Sequence, residues 1–363
     1  MKYPILFPAS QVLSDIEAFD TVIDVRSESE FALDHIPGAI NCPVLNDEER
    51  VQVGTIYKQD SPFKAKKIGA AIVARNIALH LETRFAEHPK NWRPLIYCWR
   101  GGNRSGAMAH ILAKIGWPAV QLEGGYKAYR QHLLTQIDDM AERYRFQVVC
   151  GTTGSGKSRL LETLASMGAQ VLDLEKLAAH RGSLLGSLPG EPQPTQKMFE
   201  SRIWDTLRHF SPERAIFVES ESKKIGNLRV PEKLMALIRA SDCIRIDIST
   251  RLRVQLLIED YPHLVSDTAQ LMSQLEHLTP LHGREKISRW RALAESGDIS
   301  ALVDALLTEH YDPAYLKSID RNFRAYRNAL TVDMPDISPA AFMSAAKALL
   351  KNEETLKVFH ASS

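Results

Sequence analysis

The sequence predicts two consecutive α/β units, each built on a mostly parallel sheet, with a helical region at the C-terminal end. Three observations carry this. The chain has 363 residues, more than a single hydrophobic core of roughly 250–300 residues accommodates. Strand-like and helix-like segments alternate through the first 144 residues, and the alternation restarts abruptly at Phe146. Beyond about Thr250 only helix-like periodicity remains.

In the first unit, Thr21–Arg26 is a short apolar run ending in charge, Ser27–His35 reads as helix, and Ile36-Pro37-Gly38 marks a turn. Apolar residues recur at helical spacing from Ala65 to about Glu87. Then follow a strand at Pro94–Cys98, a glycine-rich loop, a helix to Gly116, a strand at Ala119–Leu122 and a helix from about Tyr126 to Tyr144. The second unit opens with the strand Phe146–Cys150, and its further strand candidates are Gln170–Leu174, Ala215–Glu219 and Cys243–Ile248. Gly182–Pro194, rich in Gly and Pro, is expected to be a mobile loop. The helical periodicity beyond Thr250 is broken near Thr279–Gly283 and at Asp312-Pro313. The expected domains are therefore 1–140 and 145–363, the latter helical from about 250.

Composition narrows the class. Hydrophobic residues at 44% and charged residues at 25% are ordinary for a globular protein and exclude collagen-like and disordered chains. No apolar run reaches the ~18 residues of a membrane span, and the proline-interrupted N-terminus lacks a signal-peptide core, so a cytoplasmic location is expected and a membrane partner is not. Four scattered cysteines, with no CxxC pair, suit a reducing compartment and make a disulfide framework or thiolate zinc site improbable. The net charge of +1 hides an asymmetry. Residues 1–60 hold 4 Lys/Arg against 11 Asp/Glu, a balance of −7, whereas residues 61–130 hold 12 against 3, a balance of +9. Either the basic face is balanced by the acidic region, or it faces a polyanion such as RNA.

Two segments carry chemistry. The first is Cys98-Trp99-Arg100-Gly101-Gly102-Asn103-Arg104-Ser105, which follows a strand and opens a helix. Such a turn aims backbone N–H groups at one point, and the helix N-terminus adds positive potential, so an anion or thiolate is stabilised there. Cys98 is then a candidate nucleophile, the glycines allow close backbone approach, and Arg104 closes the ring. The alternative is an inert buried cysteine beside a sharp turn.

With Ile23-Asp24-Val25-Arg26, Glu30-Phe31 and His35-Ile36-Pro37-Gly38-Ala39-Ile40-Asn41, this loop resembles the rhodanese family over residues 10–140. The resemblance implies a loop cysteine that carries sulfane sulfur or, in a phosphatase branch, attacks phosphate. Five residues separate Cys98 from Arg104, one more than in typical single-domain sulfurtransferases and equal to the phosphatase spacing, so a larger occupant than sulfur is expected.

The second segment, Gly151-Thr152-Thr153-Gly154-Ser155-Gly156-Lys157-Ser158, satisfies G-x4-G-K-[ST] between an apolar strand and a helix-like stretch. Its backbone N–H groups would cradle a di- or triphosphate, Lys157 would reach the terminal phosphoryl oxygens, and Ser158 is a candidate Mg²⁺ ligand. Asp173 and Glu219 both end apolar strands, as a partner carboxylate for the loop would, and both are equally explained as caps. Arg251 and Arg253 resemble arginines that close over phosphates in kinases, although isolated arginines are more often surface residues.

Taken together, the two segments, His180-Arg181-Gly182-Ser183, Glu219-Ser220-Glu221-Ser222-Lys223-Lys224-Ile225-Gly226 and His310-Tyr311-Asp312 make the chain similar, nearly from end to end, to the bacterial tRNA 2-selenouridine synthase family, in which a rhodanese-like domain is fused to a P-loop domain. The resemblance implies a transferase that replaces the sulfur of 2-thiouridine at the tRNA wobble position with selenium from selenophosphate, through an S-geranyl intermediate made from geranyl diphosphate. It implies selenophosphate and geranyl diphosphate as co-substrates with no tightly bound cofactor, tRNA rather than DNA as partner, and a selenophosphate-producing enzyme as supplier. Cys98 would accept selenium while Arg100 and Arg104 steady selenophosphate. Trp92, Trp99, Trp117, Tyr126 and Tyr129 are candidates for stacking on anticodon bases, with core packing as the alternative for each. The Glu219–Gly226 segment has the composition of a substrate-facing loop, and His310–Asp312 reads equally as a helix-terminating cluster. Two other readings stay open: a rhodanese-type phosphatase fused to a small-molecule kinase, and a sulfur relay to a separate tRNA-thiolating enzyme.

Overall fold

The computed structural model describes residues 4–182, 186, 190–262 and 267–361. They divide into two compact units, one comprising the chain up to Ile137 together with Pro194–Asp205, the other Asp138–Gln193 with the chain from Thr206 onward. Each unit is built on a five-stranded, wholly parallel sheet.

In the first unit the strands are β1 (Ile5–Phe7), β2 (Thr21–Asp24), β3 (Ile40–Asn41), β4 (Pro94–Tyr97) and β5 (Val120–Leu122), in the spatial order β1-β5-β4-β2-β3. Every residue of β4 is buried, as a central strand covered on both faces requires, which is why Pro-Leu-Ile-Tyr reads as one apolar run without alternation. Register is set by pairs such as Ile23↔Ile96 and Ile96↔Gln121. Ile23, Ile96, Met108, Leu112 and Trp117 share one core cluster.

The expected helix at 27–35 is Glu28–Leu33, closed at its start by a capping box between Ser27 and Glu30. The long expected helix is Pro62–His80, entered through a Ser61 cap with Pro62 in its first turn, and it runs into a π-helical turn at Leu81–Phe85. A further helix, Asp47–Gln59, lies in a stretch for which the sequence suggested no element; it buries no residue, so its sequence has no apolar stripe to see. The edge strands β1 and β3 were not anticipated either, being too short for a period to register.

In the second unit β6 (Phe146–Cys150), β7 (Gln170–Leu172), β8 (Ile216–Glu219), β11 (Asp242–Asp247) and β12 (Leu330–Asp333) stand in the order β12-β11-β6-β8-β7. Between them, β9 (Lys224–Ile225) and β10 (Leu228–Arg229) form a small antiparallel hairpin. The strand expected to reach Leu174 stops at Leu172 because Asp173 caps a short helix, Leu174–Ala178, accepting from the Lys176 N–H at 2.9 Å.

The expectation of helix alone beyond Thr250 is corrected by β12. Ile244↔Leu330 and Ile246↔Val332 place it in parallel register beside β11. It is an edge strand with three exposed residues, so it lacks the apolar run that marks a buried parallel strand. The break expected at Asp312-Pro313 is instead a continuation, in which a π-helical turn, Leu307–Tyr311, leads directly into the helix Asp312–Asn322 with Pro313 in its first turn. Within Gly182–Pro194, residues 183–185 and 187–189 lie outside the described residues, Ser183 among them. Among the described residues no helix is long and apolar enough to cross a membrane.

Pro194–Asp205 belongs to the first unit although the sequence placed it beyond the domain boundary. Trp204 packs edge-on against Tyr129 with ring centroids 5.9 Å apart, and the Ser201 hydroxyl lies 2.8 Å from buried Asp34. Helical periodicity shows that a helix buries a face; it does not say against which core.

Candidate functional site

Two loops share one construction. Each leaves the C-terminal end of the third strand of five in a parallel sheet and opens directly into a helix: β4 into Cys98–Gly102 and the helix Asn103–Ile115, β6 into Gly151–Gly156 and the helix Lys157–Ser166. Ligands of open α/β sheets bind at this position, where backbone amides of a helix N-terminus face outward.

The first loop encloses a cavity of about 490 Å³ lined by Cys98 and the six residues that follow it. Cys98 is buried, and the Ser105 hydroxyl donates to its sulfur at 3.3 Å. Ser105 is itself held by the Gln121 amide at 2.9 Å, which also donates to the Gly102 carbonyl at 3.0 Å. Gly102 takes φ +75°, and a Cβ there would stand 2.8 Å from that amide nitrogen. From the other side the helix Gly125–Arg143 clamps the loop, with Tyr126 N–H donating to the Cys98 carbonyl at 2.8 Å and Lys127 N–H to that of Trp99 at 3.0 Å. Gly125 permits this approach, since a Cβ on it would lie 2.3 Å from the Cys98 oxygen.

Arg100 is exposed on the cavity rim. Arg104 lines the cavity too, but its guanidinium donates to Glu30 at 3.0 Å. Burial pushes the Glu30 carboxyl up, yet Arg104 and the Ser27 N–H outweigh it and hold the group below the ordinary carboxylate range. Glu30 and Gln121 were not anticipated as parts of this site. Both act through another residue of the loop, a relation that lies in the fold rather than in local spacing.

Of the aromatic candidates, Trp92, Trp117, Tyr126 and Tyr129 are core residues, whereas Trp99 is 44% exposed. The basic stretch is partly neutralised at home: Lys64 pairs with Asp60, Arg75 with Glu49, Arg104 with Glu30 and Arg130 with Asp34. These are acids of residues 1–60, so the two opposite charge balances meet in one unit.

The second loop borders a cavity of about 750 Å³. Lys157 donates from Nζ to the Gly151 carbonyl at 2.8 Å and lies 3.4 Å from Glu219 Oε1, while the Ser158 hydroxyl donates to Glu219 Oε2 at 3.4 Å. Glu219 at the end of β8 therefore stands beside the loop's two functional side chains. Asp173 lines the same cavity and serves as a helix cap. Arg253 is buried behind the loop, donating to the Thr153 carbonyl at 2.9 Å and pairing with Asp312 at 2.5 Å. It braces the cradle, and Asp312 of the His310–Asp312 cluster is its counter-charge. Arg251 is exposed on the same helix and does not line the cavity.

The sequence offered Glu219 as a partner carboxylate and Glu221 within a substrate-facing segment, but not Glu175 and not the grouping of the three that dominates this cavity. Carboxylate oxygens of Glu175, Glu219 and Glu221 all lie within 4.8 Å of one another. Burial first, and then the neighbouring carboxylates, push all three carboxyls above their ordinary range, and Lys157 opposes this for each. Gly182, at φ +63°, sits over them, since a Cβ on it would come within 2.8 Å of Glu175 and 2.9 Å of Glu221. Tyr315 completes the floor, accepting from Gly151 N–H at 2.8 Å and lying 3.0 Å from the Ser220 hydroxyl. Glu219–Ser222 of the predicted substrate-facing segment line this cavity.

A rhodanese-like domain family matches residues 8–132, and the family of tRNA 2-selenouridine synthase AAA domains matches residues 144–288. A tRNA 2-selenouridine synthase of Nitrosomonas europaea is 37% identical over 247 residues, an alignment spanning 66% of this chain and 63% of the relative. Proteins of the same description from Bdellovibrio bacteriovorus and a Sulfurovum species are each 32% identical, over 346 and 333 residues, covering 83% of this chain and 89% of theirs.

Proposed function

Because the chain belongs to the tRNA 2-selenouridine synthase family, we propose that it exchanges the sulfur of wobble 2-thiouridine in tRNA for selenium, with geranyl diphosphate activating the sulfur and selenophosphate supplying the selenium. The observation that carries this reading is the presence of two differently equipped anion cradles in one chain, one presenting a thiol and the other a lysine beside carboxylates.

Thiocarbonyl sulfur is a poor leaving group. Attack of that sulfur on C1 of geranyl diphosphate forms a C–S bond, breaks the C–O bond and releases diphosphate; addition of selenium at C2 then expels geranyl thiol. The first step needs a cradle that binds diphosphate and stabilises the charge that grows as it leaves, and the Gly151–Ser158 amides with Lys157 provide that. The oxygen donors around Ser158 also suit Mg²⁺ in kind: a hydroxyl 3.4 Å from Glu219, with Glu175 and Glu221 beside it. Ser158 and Glu219 would hold the ion, which when bound supplies further positive charge to the departing diphosphate. Arg253 and Asp312 keep the loop in shape without touching substrate.

The second step belongs to the Cys98 loop. Selenide-level selenium cannot pass to a thiol without a two-electron oxidant, so it goes from the donor directly to C2. The amide cradle and Arg100 hold selenophosphate, and its selenium adds at C2. Geranyl thiol leaves with a proton given by Cys98, and water then cleaves the Se–P bond to release phosphate. Ser105 hydrogen-bonds the Cys98 sulfur. Arg104 contributes through Glu30, to which it is already paired.

The test is nucleoside mass spectrometry of a 2-thiouridine anticodon stem-loop incubated with the purified full chain. Geranyl diphosphate alone should yield the S-geranyl nucleoside, and addition of selenophosphate should yield 2-selenouridine. Unchanged 2-thiouridine with verified co-substrates would contradict the proposal.

A further inference from the structure

We propose that Trp99 is a stacking platform for the reacting base, an aromatic subsite beside the Cys98 thiol that takes a planar heterocycle. The inference rests on the tRNA reading above and adds to it the residue that would hold the base.

Trp99 is the immediate neighbour of Cys98 and lines the same cavity. An indole is a large apolar surface, and Trp99 stands 44% exposed at the cavity while the other four tryptophans, Trp92, Trp117, Trp204 and Trp290, are buried. Its placement is fixed. Its ring stacks on Tyr126 at a centroid distance of 5.3 Å and an interplanar angle of 25°, and its carbonyl is held by Lys127 N–H.

Tyr126 is itself immobilised. Its hydroxyl donates to buried Asp34 at 2.7 Å, and the guanidinium of Arg26, which is 1% exposed, lies 4.0 Å from its ring centroid. Arg26 is in turn locked to Asp24 at 2.6 Å and to the Asp34 carbonyl. A chain of contacts from Arg26 through Tyr126 to Trp99 thus ends at the cavity. With Tyr126 stacked against the indole, Trp99 still keeps an exposed surface and lines the cavity. A base laid there extends the stack without any rearrangement of the loop, and every base has a π-face to offer. Single-stranded anticodon bases are recognised in this way, splayed onto aromatic side chains. Stacking beside the thiol brings the pyrimidine ring to the loop that holds the selenium donor, whereas a merely structural tryptophan would face the core as Trp92 and Trp117 do.

The experiment uses the full chain and a fluorescein-labelled 2-thiouridine anticodon stem-loop. Binding is measured by anisotropy and conversion by nucleoside mass spectrometry, for wild type, Trp99→Phe, Trp99→Leu and Trp99→Ala. Loss of one base–aromatic stack corresponds to about a tenfold weakening. The Leu and Ala variants should show it in Kd and KM with a smaller change in kcat, and Phe should restore binding to within about threefold of wild type, all at an unchanged melting temperature. Equal binding by all four proteins would overturn the platform, as would equal weakening of all three variants accompanied by a lowered melting temperature. If wild type binds the stem-loop but leaves 2-thiouridine unconverted, the functional reading fails while the stacking result still stands or falls on the Phe and Leu variants.

Discussion

The two cradles occupy the same topological position on two separate sheets, yet they differ in what surrounds them. Around Cys98 the polar side chains are matched one to one: Arg104 with Glu30, Ser105 with the thiol, Gln121 with Ser105 and Gly102. Around Lys157 three carboxyls crowd together, and only one of them, Glu219, is paired with that lysine. The first is therefore an electrostatically balanced seat for a thiol, and the second a carboxyl-rich site whose crowding is relieved by added positive charge or by protons. The difference teaches that the turn after a central strand supplies the anion seat, while the residues from neighbouring strands and helices decide which chemistry is done on it.

The comparison can be broken most sharply at Lys157. Replacing it with Ala should lower geranylation roughly a hundredfold or more, since the leaving diphosphate loses its charged partner in a largely water-excluded site; geranyl transfer at the wild-type rate would remove the second cradle from the chemistry. Gly125→Ala tests the first cradle from behind. The added Cβ meets the Cys98 carbonyl at 2.3 Å and the residue must keep φ +58°, so selenation should fall while geranylation by the same protein persists. Parallel loss of both steps would mean that the two loops do not act separately.

The brace behind the second loop should give an effect on stability. Arg253→Met leaves Asp312 without its counter-charge and should cost about 3 kcal/mol, read by denaturant unfolding, and an unchanged midpoint would show that the pair carries no weight.

The smallest effect is the pH dependence of the carboxyl cluster. Glu175, Glu219 and Glu221 hold their protons more tightly folded than unfolded. Folding therefore takes up protons, and stability is lost as pH rises above the ordinary carboxylate value. In metal-free buffer the melting temperature should fall by a few degrees between about pH 5 and 8, and Glu175→Gln should flatten that fall. A steeper fall in the variant would reverse the sign of the account.

Much of this architecture was legible in the sequence because parallel strands are buried on both faces and announce themselves as apolar runs. β2, β4, β6, β8 and β11 all did so. The edge strands β1, β3 and β12 are short or exposed and did not. The same division holds for the sites. Both loops carry their own glycines and functional side chains in consecutive positions, so local spacing exposes them. Glu30, Gln121, Glu175 and Tyr315 come from other elements and reach the loops only through folding, and no spacing within the chain connects them, whereas Glu221 lies in the segment whose composition already pointed to a substrate-facing loop. Glu219 is intermediate: its strand was visible, but only the hydrogen bond from Ser158 and the approach of Lys157 distinguish it from Asp173.

The central claim is that the two cradles perform successive steps on one base. It is tested most directly by following S-geranyl-2-thiouridine and 2-selenouridine in one stem-loop with Cys98→Ser and Lys157→Ala beside wild type. The account predicts a crossed result: Cys98→Ser accumulates the geranylated nucleoside without 2-selenouridine, and Lys157→Ala forms neither from 2-thiouridine but converts a pre-geranylated stem-loop to 2-selenouridine. Full selenation by Cys98→Ser, or failure of Lys157→Ala on the pre-geranylated substrate, would contradict it.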